Sequence, residues 1–221
     1  MEKLRHAIRK ARSCQNRIVD RWLSIRTESF PVVSGHHLAD SNPYESIHYG
    51  LLSRFLRPLA PMPDDIFYDI GCGMGRILCL ASRLPVRMCI GIEIVPELAA
   101  IAEGNARMLR GRRSEIQVRI ANAAEADYSD GTIYCMFNPF GAATMEKVLS
   151  RIGETLQESP RPVRLGYFNP VHENAFRSSG FLELTGRVEA LLSAKTASYW
   201  TNWKWTGQKI PNHKFQITNN S

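Results

Sequence analysis

Long apolar runs are what this chain most conspicuously lacks. Asp69, Glu93 and Glu97 interrupt every candidate before it approaches the ~20 consecutive apolar residues of a membrane span. The N-terminus opens with Glu2, Lys3, Arg5, Arg9 and Lys10 in place of the apolar stretch of a secretion signal, so a cytoplasmic protein is expected. Cysteine is sparse as well. The five cysteines, at 14, 72, 79, 89 and 135, include no Cys-x-x-Cys pair and mostly fall inside expected strands or a helix, which favours buried free thiols over disulfides or zinc. Repeats and low-complexity segments are absent. What remains, 221 residues with 44% hydrophobic and 22% charged, is too short for two average domains and suits one core with an appendage.

Acidic residues are outnumbered, and the net charge of +7 is unevenly placed. Residues 1–30 carry an excess of +5, and a second basic cluster comprises Arg107, Arg110, Arg112 and Arg113. Such clusters attract phosphate or acidic surfaces, but they are also the ordinary composition of solvated helix faces. Neither cluster carries the aromatic interleaving of a single-strand binding surface, which weakens the case for nucleic acid.

Helical spacing of Leu4, Ile8, Ala11, Ile18 and Leu23 predicts a helix over 2–26, and Pro31, Ser34 and Gly35 mark a loop from Phe30 to Ser41. A helix is expected over 42–59, stopped by Pro58. Strands at 66–71, 87–94, 115–121, 131–137 and 163–168 then alternate with helices at 75–84, 96–110 and 142–157, implying parallel pairing with right-handed crossovers. After a short helix near 171–178, the strand-like stretches 181–188 and 197–205 have no long helix between them and should pair antiparallel. Trp200, Trp203 and Trp205 alternate imperfectly there and suit a core-facing strand. The expected organisation is a basic helical extension and loop (1–41), an α/β domain (42–210) and a polar tail (211–221).

The most informative stretch is Phe-Tyr-Asp-Ile-Gly-Cys-Gly-Met-Gly-Arg at 67–76, an apolar strand running into a turn with Gly71, Gly73 and Gly75. Glycine lets the chain turn sharply and its backbone approach a ligand closely. A dinucleotide fold wants its third glycine at 76, where the pyrophosphate meets the helix, but Arg76 occupies that position and Asp69 would repel the anion. The turn instead suits a ligand with a cationic or amino group, such as S-adenosylmethionine.

These residues give the chain a resemblance to the class I, Rossmann-like S-adenosylmethionine-dependent methyltransferases over about residues 42–205. The run Asp69-Ile-Gly71-Cys72-Gly73-Met-Gly75 fits that family's first motif in full. The resemblance implies a mainly parallel seven-stranded sheet with helices on both faces and a final antiparallel hairpin. It also implies a glycine turn against the cofactor's methionine and ribose parts, with Asp69 facing its amino group. Glu93, 22 residues after Gly71, stands where the family places an acid that accepts from both ribose hydroxyls, with Ile94 beside it. Where many relatives carry an Asp toward the adenine amino group, this chain has Asn122, so adenine contact is expected from Asn122 or the Ala123 backbone, with Glu125 and Asp127 as further candidates. Tyr44 and Tyr49 lie in a segment that relatives, including lysine methyltransferases lacking a SET domain, use to cover the cofactor; packing at a helix start is the competing reading.

At the reacting end, Asn138-Pro139-Phe140 is similar to the motif of amino-directed methyltransferases with one proline deleted. The Asn138 side-chain oxygen and the Pro139 carbonyl can accept both N–H bonds of a target amine, and Phe140 can pack on the target or the sulfonium. The same residues also suit a plain turn into the following helix. Methyl transfer demands alignment more than a strong base, so a missing catalytic triad is no objection. An oxygen acceptor would need one, for which His48, Asp127 and His172 are the available side chains. The carboxylate cluster of metal-dependent oxygen methyltransferases is absent near 138, and no metal is expected. Asn169-Pro170-Val171-His172 is a further candidate for the acceptor wall. The expected function is methyl transfer to a nitrogen of a protein side chain or small molecule. RNA methylation and an inactive binding or scaffold domain are the alternatives, and an NAD-linked reductase is disfavoured by Arg76.

Overall fold

A computed structural model of the chain describes residues 2–28, 40–193 and 196–207, with side chains for 13–28, 40–188 and 200–207. Most of the loop expected over Phe30–Ser41 and all of the polar tail lie outside the described residues. Helix α1 (Glu2–Leu23) and helix α2 (Tyr49–Leu56), the latter followed by a 3-10 turn at Arg57–Leu59, precede the sheet. The alternating region then contains β1 (Ile66–Ile70), α3 (Arg76–Ala81), β2 (Met88–Glu93), α4 (Pro96–Met108), β3 (Glu115–Ile120) and β4 (Ile133–Phe137). It continues with α5 (Ala142–Glu158), β5 (Arg164–Phe168), α6 (Glu173–Ser178), β6 (Leu182–Ser193) and β7 (Thr196–Trp205).

The strands form one seven-stranded sheet in the order β3-β2-β1-β4-β5-β7-β6. β1 to β5 pair in parallel, whereas β7 runs antiparallel to both β5 and β6. This is the Rossmann-like architecture that the resemblance implied, with element ends displaced by a few residues. Every residue of β1 is buried, as expected of a strand covered on both faces. Side chains alternate across the sheet, so Ile66, Tyr68 and Ile70 join the core beneath α5 and α6 while Phe67 joins the one beneath α2 and α3. Asp69 therefore lies on the α3 side. The same parity accounts for the tryptophans: Trp200 belongs to the α2 side, and Trp203, an odd number of residues on, to the α5 side together with Trp205.

One element differs from expectation. The helix expected from 42 begins only at Tyr49, where His48 caps it by accepting from the Gly50 N–H at 3.2 Å. Pro43 biases Asn42 away from helical geometry. Long-range bonds hold the stretch extended, since the Asn42 N–H donates to the Pro139 carbonyl at 2.9 Å and Ser41 bridges to Phe140.

The N-terminal segment is fastened to the core by one buried side chain. Arg76, the first residue of α3, donates through Nε to Thr27 Oγ1 at 2.6 Å, through Nη1 to the Ile47 carbonyl at 2.6 Å and through Nη2 to Glu28 Oε1 at 2.9 Å. Asp20 stands 3.6 Å from Nη2, and the guanidinium lies 4.6 Å from the centre of the Tyr49 ring. Burial raises the Glu28 carboxyl, but hydrogen bonds from Asn16, Arg76, Ser46 and Ser13 outweigh it and hold the group below the ordinary value. A little further along, the Asn105 amide donates to the carbonyls of both Arg26 and Met74. Replacing Arg76 with Ala would strand the Asp20 and Glu28 carboxylates in a dry interior. The expected loss is about 3–5 kcal/mol of folding stability, read from urea unfolding, and a loss below about 1 kcal/mol would show that the network is not structural.

Candidate active site

The chain leaves β1 through three glycines with left-handed backbone, at φ 74°, 54° and 80° for Gly71, Gly73 and Gly75. Two of them also make way for neighbours. A Cβ on Gly71 would stand 2.3 Å from the Pro139 ring, and one on Gly73 would stand 2.5 Å from the Tyr44 ring. Beyond the carboxyl ends of β1, β2 and β4 these loops enclose a cavity of about 890 Å³, large enough for a nucleoside-sized ligand. Its wall brings together Tyr44, Asp69, Gly71, Cys72, Gly73, Glu93, Ile94, Asn122, Ala123, Asn138, Pro139 and Phe140.

Two of the expected site residues are placed elsewhere. Gly75 caps α3 and packs on Ala102, where an added Cβ would meet the alanine methyl at 3.0 Å. Tyr49 does not line the cavity; its hydroxyl donates to Asp20 Oδ1 at 2.5 Å while its ring covers Arg76, so it serves the N-terminal anchor. His48, Asp127 and His172 do not line the cavity either. Among the described residues no three His, Cys, Asp or Glu side chains gather as metal ligands.

Glu93, only 6% exposed, ties two loops together. Its Oε2 accepts from the Gly73 N–H at 2.7 Å, and its Oε1 accepts from the N–H groups of Ile94 and Val95, both at 2.9 Å. Burial pushes its carboxyl up, and these three bonds oppose the shift without cancelling it. A carboxylate offers about four lone-pair positions, so acceptor capacity remains on the Oε2 side for a hydroxyl. Asp69, 1% exposed, accepts from the Leu78 N–H at 3.0 Å and so caps the first turn of α3 from the neighbouring strand. Burial raises its carboxyl to about 7, the Leu78 bond opposes this, and the charge on Glu93 adds to it. Burial also keeps the Cys72 thiol protonated.

Asn122 spends its side chain locally. Its Oδ1 accepts from the Ala124 N–H at 3.0 Å and its amide donates to Glu125 at 2.9 Å, an Asx-type turn that aspartate or asparagine forms readily. The Ala123 carbonyl accepts from the Tyr128 hydroxyl at 2.7 Å.

At the far end of the cavity, Asn138 takes left-handed backbone at φ 40° directly after β4. The Tyr167 hydroxyl on β5 donates to its Oδ1 at 3.0 Å, and the Asn42 amide donates to its carbonyl at 2.8 Å. Asp40 caps α5, accepting from Thr144 N–H at 3.0 Å through its side chain and from Gly141 N–H at 2.8 Å through its carbonyl. Phe140 is buried among the α5 side chains and still reaches the wall. Asp40, Asn42 and Tyr167 were not foreseen from sequence; the only local signal was the turn-prone Asn42-Pro43 pair.

The chemistry of the wall fits an adenosyl sulfonium. Carboxylates at Asp40, Glu45, Asp69 and Glu93 face the cavity region, and among the described residues the one basic side chain there, Arg76, is bonded to Thr27, Ile47 and Glu28. That balance suits a cation and opposes a pyrophosphate. It also has a cost that can be measured. The folded-state value of Asp69, about 7 against an ordinary 3.8, means that between these pH values the folded chain keeps a proton the unfolded chain releases. Stability from this group therefore falls as pH rises from about 4 to about 7 and is flat above. Thermal unfolding across that range should show the wild type losing ground steadily to Asp69→Asn, which keeps an acceptor for Leu78; parallel curves would contradict the buried carboxyl.

Known proteins share these features. The model for the histone methylation protein DOT1 matches residues 36–128, from the segment before Tyr44 through the glycine turn, Glu93 and Asn122. The chain is 34% identical over 98 residues to a protein-lysine N-methyltransferase of Saccharolobus islandicus, covering 43% of this chain and 59% of that protein. It is 31% identical over 105 residues to the H3 lysine-79-specific histone-lysine N-methyltransferase of Dictyostelium discoideum, covering 42% of this chain and 5% of that protein. The matched region thus spans little more than half of the first relative and a small part of the second. In fold, the chain is similar to an RNA methyltransferase of Salinibacter ruber solved with S-adenosyl-L-homocysteine, at a TM-score of 0.57 and 24% identity over 78% of this chain and 98% of that one. Motif, sheet order and matches agree: the chain has the class I, Rossmann-like methyltransferase fold, and over residues 36–128 it is similar to the DOT1 methyltransferases.

Proposed function

We propose that the chain methylates a nitrogen, with a protein lysine side chain as acceptor, using S-adenosylmethionine held between the glycine turn and Glu93. The observation that carries this reading is the charge of the cavity: among the described residues its wall is acidic and its one basic side chain is engaged, so a cationic acceptor is drawn in and a phosphate-bearing strand is not. The protein-lysine methyltransferases among the relatives support the same class of acceptor.

Bound there, the cofactor supplies a methyl group activated by a positively charged sulfur. The chain's own part is to bind, orient and exclude water. Gly71 to Gly73 admit the ligand to the backbone, Glu93 accepts from the ribose and Asp69 faces the amino group. The Asn122 and Ala123 turn would take the adenine. At the other end Asn138 Oδ1 and the Pro139 carbonyl each already accept one bond, from Tyr167 and Asn42, and each oxygen keeps a second lone pair for an N–H of the acceptor amine. Those bonds hold both acceptors rigid, so the nitrogen lone pair is aimed without reorganisation. Lysine enters as an ammonium with an ordinary pKa of ~10.4, and its proton leaves to solvent before the nitrogen can react. Phe140 and Tyr44 supply aromatic surface suited to a cationic centre.

An RNA acceptor is the second reading, favoured by the charge of +7. Labelled cofactor separates the two: label on protein and not on RNA is expected, label on RNA alone overturns the lysine assignment, and binding of neither S-adenosylmethionine nor S-adenosylhomocysteine in calorimetry would leave a scaffold. Glu93→Gln should weaken cofactor affinity by about 1–2 kcal/mol by removing a charged acceptor, and unchanged affinity removes Glu93 from the ribose role. Asn138→Ala should lower kcat about tenfold or more while cofactor affinity stays the same; normal turnover would refute its placement beside the amine.

A further inference from the structure

The end of α1, in the first basic segment, meets the second arginine cluster in the fold, although some eighty residues separate them in sequence. The Arg110 N–H donates to the Leu23 carbonyl at 2.9 Å, which seats the end of α1 against the loop after α4. Arg83 fills the join. Its guanidinium lies 5.0 Å from the centre of the Trp22 ring, and the α-carbon of Gly111 is so close that an added Cβ would stand 3.3 Å from Arg83 Nη2. Around it Arg110, Arg112 and Arg113 are exposed, and among the described residues no carboxylate lies within ion-pair distance of any of these four arginines. Trp22 is 63% exposed and Met108, at the end of α4, is 66% exposed, so apolar surface sits within the basic field. Trp22 belongs to the first basic segment, directly after Arg21, and the fold sets it against Arg83.

Uncompensated arginines beside an exposed indole make a surface suited to phosphates and unpaired bases at once. The loops that carry it, 83–87 and 109–114, precede β2 and β3, whereas the cavity lies beyond the carboxyl ends of the strands. A strand held here is at the opposite end of the sheet from the reacting methyl. We propose that this face docks single-stranded RNA as an anchor and not as the methyl acceptor, with the arginines on phosphates and Trp22 stacked on a base. This assignment is independent of the lysine reading, because it concerns a different end of the molecule.

Fluorescence anisotropy of the full chain with a labelled oligouridine about 20 nucleotides long tests it. The triple variant Arg110→Glu, Arg112→Glu, Arg113→Glu should weaken binding more than tenfold and reduce the slope of log Kd against log salt by about 2, as expected for three lost phosphate contacts on a single strand. Trp22→Ala should weaken binding about tenfold, with Trp22→Phe retaining most of the affinity. Calorimetry with S-adenosylmethionine should give the same affinity for every variant, so a failure here leaves the cofactor reading standing. Equal binding by wild type and triple variant overturns the proposal. Polyglutamate competing as well as RNA would also overturn it, in favour of an acidic protein partner, and duplex DNA binding as tightly with no effect of Trp22→Ala would overturn the single-strand assignment.

Discussion

The buried guanidinium of Arg76 is the constraint on which the rest of the structure depends. Three of its donors are satisfied by Thr27, Ile47 and Glu28, each from a stretch of chain with no regular pairing to the sheet. Removing such a group from water is costly, and only full pairing offsets the cost. It also stands at the N-terminal end of α3, where the helix dipole disfavours a cation, so the carboxylates of Asp20 and Glu28 are needed on that account too. Because Gly75 immediately precedes it, the turn that shapes the cofactor end of the cavity and the anchor of the N-terminal segment are held by adjacent residues.

Through Ile47 the same side chain fixes one end of the 40–47 segment, and the other end is fixed by the turn after β4. Asn42 and Asp40 bond to the 138–144 stretch, while between them Tyr44 lies on Gly73 and its hydroxyl donates to the Thr27 carbonyl at 2.8 Å. One short strap therefore touches both halves of the cavity. Its extended form is what makes this possible, since a helix from 42 would rise only ~1.5 Å per residue and would turn Asn42 and Tyr44 to different faces. Both ligand ends of the site are organised by a segment that contributes no strand to the sheet.

Much of this was legible from sequence, and the division follows contact range. Strand and helix alternation, the glycine turn and the acid at the end of β2 are local patterns, and the parallel pairing with its final antiparallel hairpin followed from them. The departures are all long-range. Asn138 is positioned by Tyr167, 29 residues on, and by Asn42, 96 residues back, and neither partner has a local signature. Asp69 lines the cavity, and its bond to Leu78 shows only once α3 is folded back over β1. Tyr49, the first residue of α2, turns to Asp20, 29 residues back, and to Arg76 in place of the cavity. Asn122 is readable as a turn former, and that is what its side chain does.

Charge shows the same lesson in its most consequential form. A pI near 9.3 describes the whole chain and invites a search for anionic substrates. In the fold the charge is divided: the cavity wall collects carboxylates, and the arginines gather at the other end of the sheet around Trp22. Over the ~8–10 Å that salt leaves unscreened, each ligand experiences the local field and not the sum. The basic flank and the acidic hollow thus present opposite charge to approaching molecules, and the two ends of the sheet are electrostatically separate surfaces.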